Sequence, residues 1–248
     1  MLSKSQISFI KSLHHKKFRK EHQLFIVEGI KSITEFIHSP YNVQSIYCVT
    51  DASTKFTNLK QKQKVFEITT SDLQKISALQ TPQEALAVVE IPQNPESVLL
   101  ETKKITLVLD GIQDPGNLGT IIRTADWFGF DQIICSENTV EAYNPKVVQA
   151  TMGSLSRVKI NYLDLPAFLK QTPLPKIGTL LNGKNLYQME WPKEGLLVLG
   201  SEGQGISEEV KTTLTEKVTI PGAGHTESLN VGVAAAICCS EIKRNSFK

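Results

Sequence analysis

Three stretches of this chain carry more polar chemistry than folding requires, and each follows a run that reads as a buried strand. The first is Asp110-Gly111-Ile112-Gln113-Asp114-Pro115-Gly116-Asn117, continuing through Leu118 and Gly119 to Arg123. Asp-Pro-Gly-Asn is a turn-forming string. Asn117 stands where it can cap the next helix. With that helix starting near Leu118, Arg123 falls in its second turn. Both side chains then share the strand-end region where open α/β sheets hold ligands. The second stretch is Gly200-Ser201-Glu202-Gly203-Gln204-Gly205. Its order, G-x-x-G-x-G, is the reverse of the dinucleotide fingerprint. Glu202 repels a pyrophosphate, so the loop suits a neutral or positive ligand better than a phosphate. The third runs from Ile220-Pro221-Gly222-Ala223-Gly224 through His225 to Ser228-Leu229-Asn230 and an alanine-rich helix. One of Ser228 and Asn230 suits the helix N-cap, which leaves the other free. His225 reads as a loop residue, since no second histidine or carboxylate stands at a useful spacing from it.

The elements that position these stretches follow from apolar patterning. Ile105–Leu109 is a nearly continuous apolar run of the kind buried on both faces in parallel sheets. Further strands are expected at 132–135, 177–181 and 196–199. Helices are expected near Leu118–Trp127, Pro145–Met152, Ser207–Leu214 and Val231–Ile242. Gly232, Ala234, Ala235 and Ala236 permit close packing of that last helix. Upstream, strands are read at 24–27, 43–49, 64–68 and 85–91. One helix is read from Ser5 to about Lys20, another from Ile30 to Ile37, and a third over Asp72–Ile76, capped by Ser71. Strands alternating with helices imply a small α/β domain of about ninety residues. Pro92-Gln93-Asn94-Pro95-Glu96-Ser97 is the best linker candidate. The organisation is therefore α/β throughout, with domains at 1–95 and 104–248.

Composition narrows the classes. Length 248, 40% hydrophobic and 21% charged residues suit two folded domains. No apolar run reaches bilayer-spanning length and the N-terminus lacks a secretory signal's apolar core, so a cytoplasmic location is expected. None of Cys48, Cys135, Cys238 and Cys239 forms a C-x-x-C pair, so buried free thiols are expected rather than a metal or redox site. A net charge of +2 does not point to nucleic acid. The acid-free run Lys11-Ser12-Leu13-His14-His15-Lys16-Lys17-Phe18-Arg19-Lys20 can bind phosphates, although alone it reads as a solvated helix face.

Together the three stretches resemble the SpoU (TrmH-like) family within the SPOUT superfamily of RNA methyltransferases. Asp110–Gly129 matches D-x-x-x-D-P-x-N-x-G-x-x-x-R-x-A-x-x-F-G at every fixed position. Gly200–Gly205 matches G-x-E-G-x-G, and Ile220-Pro221 with Ser228-Leu229-Asn230-Val231 matches the third motif. Thr151-Met152-Gly153-Ser154 is similar to an intervening S-M-G segment. The resemblance covers about 104–245. Phe25–Gly29 and Thr81-Pro82-Gln83 are similar to an L30e-like substrate-binding domain. The resemblance implies a SPOUT α/β domain with a C-terminal trefoil knot, a homodimer whose active site is completed across the interface, S-adenosylmethionine (AdoMet) as cofactor, and no metal or membrane. Carried residue by residue, it assigns Asn117, Arg123, Glu202, Ser228 and Asn230 to the catalytic site, and Leu199, Gly200, Gly203, Ile220, Pro221 and Leu229 to the cofactor. One departure is glycine in Pro221–Gly224 where many relatives carry methionine.

The implied reaction is methyl transfer to a ribose 2′-hydroxyl, in ribosomal (23S) RNA rather than tRNA because of the extra domain. Arginine holds its proton to about pH 12 or above, so Arg123 fits positioning of a phosphate and a developing alkoxide better than proton abstraction. Two rivals are weighed. A catalytically silent RNA-binding relative would not need the intact Asn117, Arg123, Glu202 and Ser228-x-Asn230 set. A nucleotide-dependent metabolic enzyme would show G-x-G-x-x-G after the first strand, where this chain has Asp110-Gly-Ile-Gln-Asp-Pro.

Overall fold

The computed structural model describes residues 2–56, 64–93, 99–100 and 102–244. The chain divides into two compact units, Met1–Gln93 with Glu141–Ser156, and Asn94–Val140 with Arg157–Lys248. Residues 94–97 of the expected linker lie outside the described residues.

The first unit opens with helix α1 (Lys4–Ser12), which starts in a capping box. Ser3 Oγ accepts from Gln6 N at 3.2 Å, and Gln6 Oε1 accepts from Ser3 N at 2.9 Å. The single helix expected from Ser5 to Lys20 is in fact two, α1 and α2 (Lys16–His22). The break has a visible cause. Leu13 is fully buried, the His14 ring bonds the Ile76 carbonyl at 2.9 Å, and Arg19 turns inward to 2% exposure. Its guanidinium donates to the Leu13 and His14 carbonyls at 2.9 and 2.8 Å, which the interrupted helix leaves without partners, and pairs with both oxygens of Glu141.

Strand β1 (Leu24–Glu28), helix α3 (Ile30–Ile37), β2 (Val43–Cys48), the short α4 (Thr50–Ser53), β3 (Lys64–Glu67), α5 (Thr70–Ile76) and β4 (Ala85–Glu90) follow. They form a four-stranded sheet in the order β1-β4-β2-β3, antiparallel except for β2 with β3. Helix α5 is capped by Thr69, whose side chain accepts from Asp72 N, and not by Ser71, which lies inside the helix. Ile10, Leu13, Ile26, Leu73, Ile76 and Leu86 make the core.

The second unit begins with β5 (Ile105–Asp110), α6 (Pro115–Trp127) and β6 (Gln132–Ser136). Helix α7 (Pro145–Thr151) then belongs to the first unit. The remaining elements, all in the second unit, are β7 (Lys159–Leu163), α8 (Leu165–Gln171), β8 (Lys176–Asn185), β9 (Gly195–Gly200), α9 (Glu208–Lys211), β10 (Glu216–Thr219) and α10 (Val231–Lys243). The sheet order is β10-β8-β9-β5-β6-β7, parallel throughout, as the continuous apolar runs imply. One face packs Val108, Ile134, Leu196 and Val198 against α8 and α9. Their strand neighbours point to the other face. Helices α6 and α10 contact each other, and α10 contacts β9.

Helix α9 is one turn, not the eight residues expected. Thr212 and Thr213 bond their hydroxyls back to the Glu209 and Val210 carbonyls at 2.7 Å, a competitor to helix propagation. All four cysteines are free and buried. Burial pushes the Cys238 thiol up to about 12 and raises Cys135 and Cys239 as well. Among the described residues, no helix is long and apolar enough to cross a membrane.

Candidate active site

Strands β5 and β9 are parallel neighbours, with Asp110 opposite Gly200. Chain order reverses around this pair, since β5 leads to β6 on one side while β9 flanks it on the other. Ligands of open α/β sheets bind at the carboxyl ends of strands at such a switch point. The first two polar stretches therefore leave the sheet side by side.

Helix α6 begins at Pro115, three residues earlier than expected. Asp114 is its cap, accepting from Asn117 N at 2.8 Å, with Pro115 at the first helical position. Asn117 is thus not the cap. Its side chain is released for other contacts. Asn230 caps α10, its Oδ1 accepting from Gly232 N at 2.9 Å and Val233 N at 3.2 Å.

These caps dictate the polarity of a relay. Asn230 Oδ1 is committed to two backbone donors, so its Nδ2 must face the site. It donates to Asn117 Oδ1 at 2.9 Å. Asn117 Nδ2 is thereby turned to the remaining neighbour and donates to Glu202 Oε1. A helix cap on α10 thus orients a carboxylate in the loop after β9, through one intermediate amide on α6.

The loop holding Glu202 is a tight hairpin. Ser201 N donates to the Gly205 carbonyl at 3.1 Å and Gly205 N to the Ser201 carbonyl at 2.9 Å. Gly205 has φ +68°, and a Cβ on Gly200 would lie 2.1 Å from the Gly205 carbonyl carbon. Both positions therefore require glycine. Asp110, 6% exposed, accepts from Ser207 N at 2.7 Å and ties the hairpin's far end to β5. A cleft of about 420 Å³ opens here, lined by Asp110, Gln113, Asn138, Ser201, Glu202 and Gln204 among others. That lies within the size range of small-molecule sites. Gln113 Nε2 donates to the Asn138 carbonyl, and Ser136 Oγ holds Asn138 Oδ1.

Of the expected catalytic residues, Asn117, Glu202 and Asn230 come together. Arg123 does not join them. It lies in the third turn of α6, not the second, about 9 Å along the axis from Asn117 by helix geometry. It is exposed and makes no hydrogen bond or ion pair with any described residue. Ser228 and His225 are exposed in the loop before α10. Among the cofactor candidates, Leu199 is buried in β9, Gly200 ends that strand, and Gly203 lines the cleft. Ile220 is half-buried, Pro221 is exposed, and Leu229 is 48% exposed. The donor chemistry fits AdoMet. Ile220, Pro221 and Leu229 leave apolar surface for an adenosine, the loops offer backbone polar groups, and Glu202 supplies a negative charge suited to a sulfonium. Asp110, Asp114, Gln113 and Asn138 were not expected as site residues. Asp114-Pro115 was a readable cap signal. Asn138 carries no sequence pattern.

The SpoU rRNA Methylase family model matches residues 104–240, and an MRM3-like substrate binding domain model matches 4–87. The chain belongs to the SpoU rRNA methylase family. It is 32% identical to the Bacillus subtilis 23S rRNA (guanosine(2553)-2′-O)-methyltransferase RlmP over 92% of this chain and 91% of that one. Among solved structures it is similar to a TrmH-family protein from Porphyromonas gingivalis, with TM-score 0.89, 40% identity and 99% of both chains covered. It is also similar to the AdoMet-bound rRNA methyltransferase of Sinorhizobium meliloti, with TM-score 0.86, 27% identity, and 99% and 96% covered. The SpoU motifs thus coincide with the paired ends of β5 and β9 and with the cap of α10.

Proposed function

We infer that this protein transfers the methyl group of AdoMet to a ribose 2′-hydroxyl of large-subunit ribosomal RNA. The observation that carries the reading is the Asn230–Asn117–Glu202 relay, which unites residues of all three SpoU motifs beside one cleft. Ribosomal RNA is favoured over tRNA because a relative that spans both units is a 23S rRNA methyltransferase. The family's MRM3-like module implies that RNA recognition belongs to the first unit. We read residues 1–95 as an L30e-like substrate-binding domain and 104–248 as the SPOUT catalytic domain, with a trefoil knot in its C-terminal part. A cytoplasmic location follows from that substrate, and the chemistry needs no metal.

When bound, AdoMet supplies a methyl group already activated by its sulfonium. The protein's work is then alignment, which supplies about 7–11 kcal/mol in favourable cases. Leu199, Gly200, Gly203, Ile220, Pro221 and Leu229 hold the cofactor. Asn230 fixes Asn117, and Asn117 fixes one oxygen of Glu202, leaving the other for a cation in the cleft. Ser228 lines the reacting hydroxyl. Arg123 holds a phosphate and the developing alkoxide through its planar donor fork, and another group accepts the proton.

We assign a homodimer in which the partner subunit's Arg123 completes the site. Arg123 stands on the exposed stripe of α6 with Trp127, which is 83% exposed, and Val233 of the contacting helix α10 is 47% exposed. Exposed apolar groups on two contacting helices support placing the dimer surface there. The test is transfer of label from radioactive AdoMet to large-subunit RNA from a strain lacking the gene. Wild type yields an alkali-resistant dinucleotide and Arg123→Ala yields none. Turnover retained by Arg123→Ala defeats the assignment of Arg123. Absence of AdoMet binding by wild type defeats the enzymatic reading altogether.

A further inference from the structure

The corner made by α1 and α2 presents cations and rings with no internal task. Lys11, Lys16, Lys17 and Lys20 are exposed and form no ion pair with any described residue, against one exposed carboxylate in α2, Glu21. The fifth cation of the run, Arg19, is withdrawn into the interior and consumed by Glu141, so burial sorts the run into one structural charge and four available ones. Three rings lie on the same two helices. The His22 ring stacks parallel to Phe18 at 6.3 Å and meets Phe9 edge-on at 5.2 Å. Lys17 Nζ sits 5.8 Å from the Phe18 ring centre. Phe9 is 39% exposed and His22 is exposed. An ordinary solvated helix face has lysines without a cluster of partly open rings.

We propose that this corner is an RNA-anchoring surface, in which the four lysines hold phosphates and an unpaired base stacks on Phe9 and His22. The proposal rests on the RNA-methylating reading above and localises its substrate contact. Free cations interleaved with open rings are the chemistry of single-stranded RNA recognition, because phosphates supply the charge and every base has a stacking face. An acidic protein would match the lysines but would leave the rings without a use.

The magnitudes are measurable. Four phosphate contacts on single-stranded RNA give a slope of log K against log salt near −3, or roughly a 50-fold loss of affinity between 50 and 200 mM salt. Removing one stacked base contact weakens binding roughly 5- to 150-fold. The experiment measures binding of the full-length protein to a transcript of large-subunit ribosomal RNA across salt concentrations, with Lys16→Gln/Lys17→Gln/Lys20→Gln and with Phe9→Ala. AdoMet affinity by calorimetry and the melting temperature report that each variant is folded. The expected result is a salt slope about 2 units shallower for the triple variant. For Phe9→Ala the expected result is weaker binding at an unchanged slope. AdoMet affinity is unchanged in both. Wild-type RNA affinity and slope in both variants overturn the surface while leaving the enzymatic reading intact. Affinity lost for assembled particles but not for naked RNA assigns the corner to a protein and also overturns it. A wild-type protein that neither binds nor methylates RNA defeats the functional reading itself.

Discussion

Asn230 does two jobs with the two ends of one amide, and a pair of substitutions separates them. Its oxygen caps α10 and its nitrogen orients Asn117. Asn230→Ala removes both. Loss of an N-cap costs about 1 kcal/mol, which lowers the melting temperature by about 2–4 °C in a protein of this size. Asn230→Asp keeps the cap, since aspartate caps as well as asparagine and also suits the helix dipole. It removes the donor, however, and sets a carboxylate against Asn117 Oδ1. Asn117 now lies between two carboxylates with a single donor end. If its amide turns toward residue 230, Glu202 faces an oxygen, and if it stays, residue 230 does. Either way the relay keeps one bond to a carboxylate, loses the amide–amide bond and leaves the other carboxylate against an amide oxygen, a change of about 1.5–3 kcal/mol. If Glu202 orientation matters to transfer, kcat/KM falls roughly 10- to 150-fold. The assay pairs thermal melts with initial rates of methyl transfer from labelled AdoMet. Asn230→Asp is expected to melt near wild type with strongly reduced turnover, and to add little in an Asn117→Ala background, because both changes cut the same relay. Near-wild-type turnover by Asn230→Asp would refute the relay. A melting temperature as low as that of Asn230→Ala would refute the division of labour.

Three further outcomes follow from the geometry. Gly200→Ala places a Cβ against the Gly205–Ile206 backbone and is expected to cost about 3 kcal/mol, whereas Gly203→Ala meets nothing within 4 Å and is expected to leave the melting temperature within about 1 °C. Comparative melts decide this. Trp127→Glu is expected to yield monomers by light scattering if α6 forms the dimer interface, and an unchanged mass would sink that assignment. Burial holds the His14 imidazole below its ordinary 6.5. A depressed folded value means that stability present above 6.5 is lost as pH falls and the unfolded chain takes up the proton. The melting temperature should therefore fall more steeply below pH 6.5 in wild type than in His14→Asn.

Most of the second unit was legible because its central strands are buried on both faces and write their burial as unbroken apolar runs. The elements that this patterning leaves out include helix α8 and the two edge strands. Strands β7 and β10 lie at opposite edges of the sheet, where Lys159, Glu216 and Lys217 dilute the apolar signal. Helix α1 reads through its end because Ile7, Ile10 and Leu13 recur at helical spacing, and nothing local shows that Arg19 turns inward to a glutamate 122 residues away. Long-range polar partners leave no periodic trace.

The same reason explains what the motifs alone could not say about the site. Residue types at fixed spacing named Asn117, Glu202 and Asn230, but spacing within a motif carries no direction. Direction enters only when the β5–β9 register sets Asp110 opposite Gly200 and the α6–α10 contact brings the two asparagines within reach. Each amide has a donor end and an acceptor end, and the cap on α10 fixes the first of them. Every later orientation in the relay is then a consequence. The cap of a thirteen-residue helix and the aim of a carboxylate on another motif are thus one constraint, so a substitution at Asn230 cannot be assigned to stability or to catalysis from its position alone.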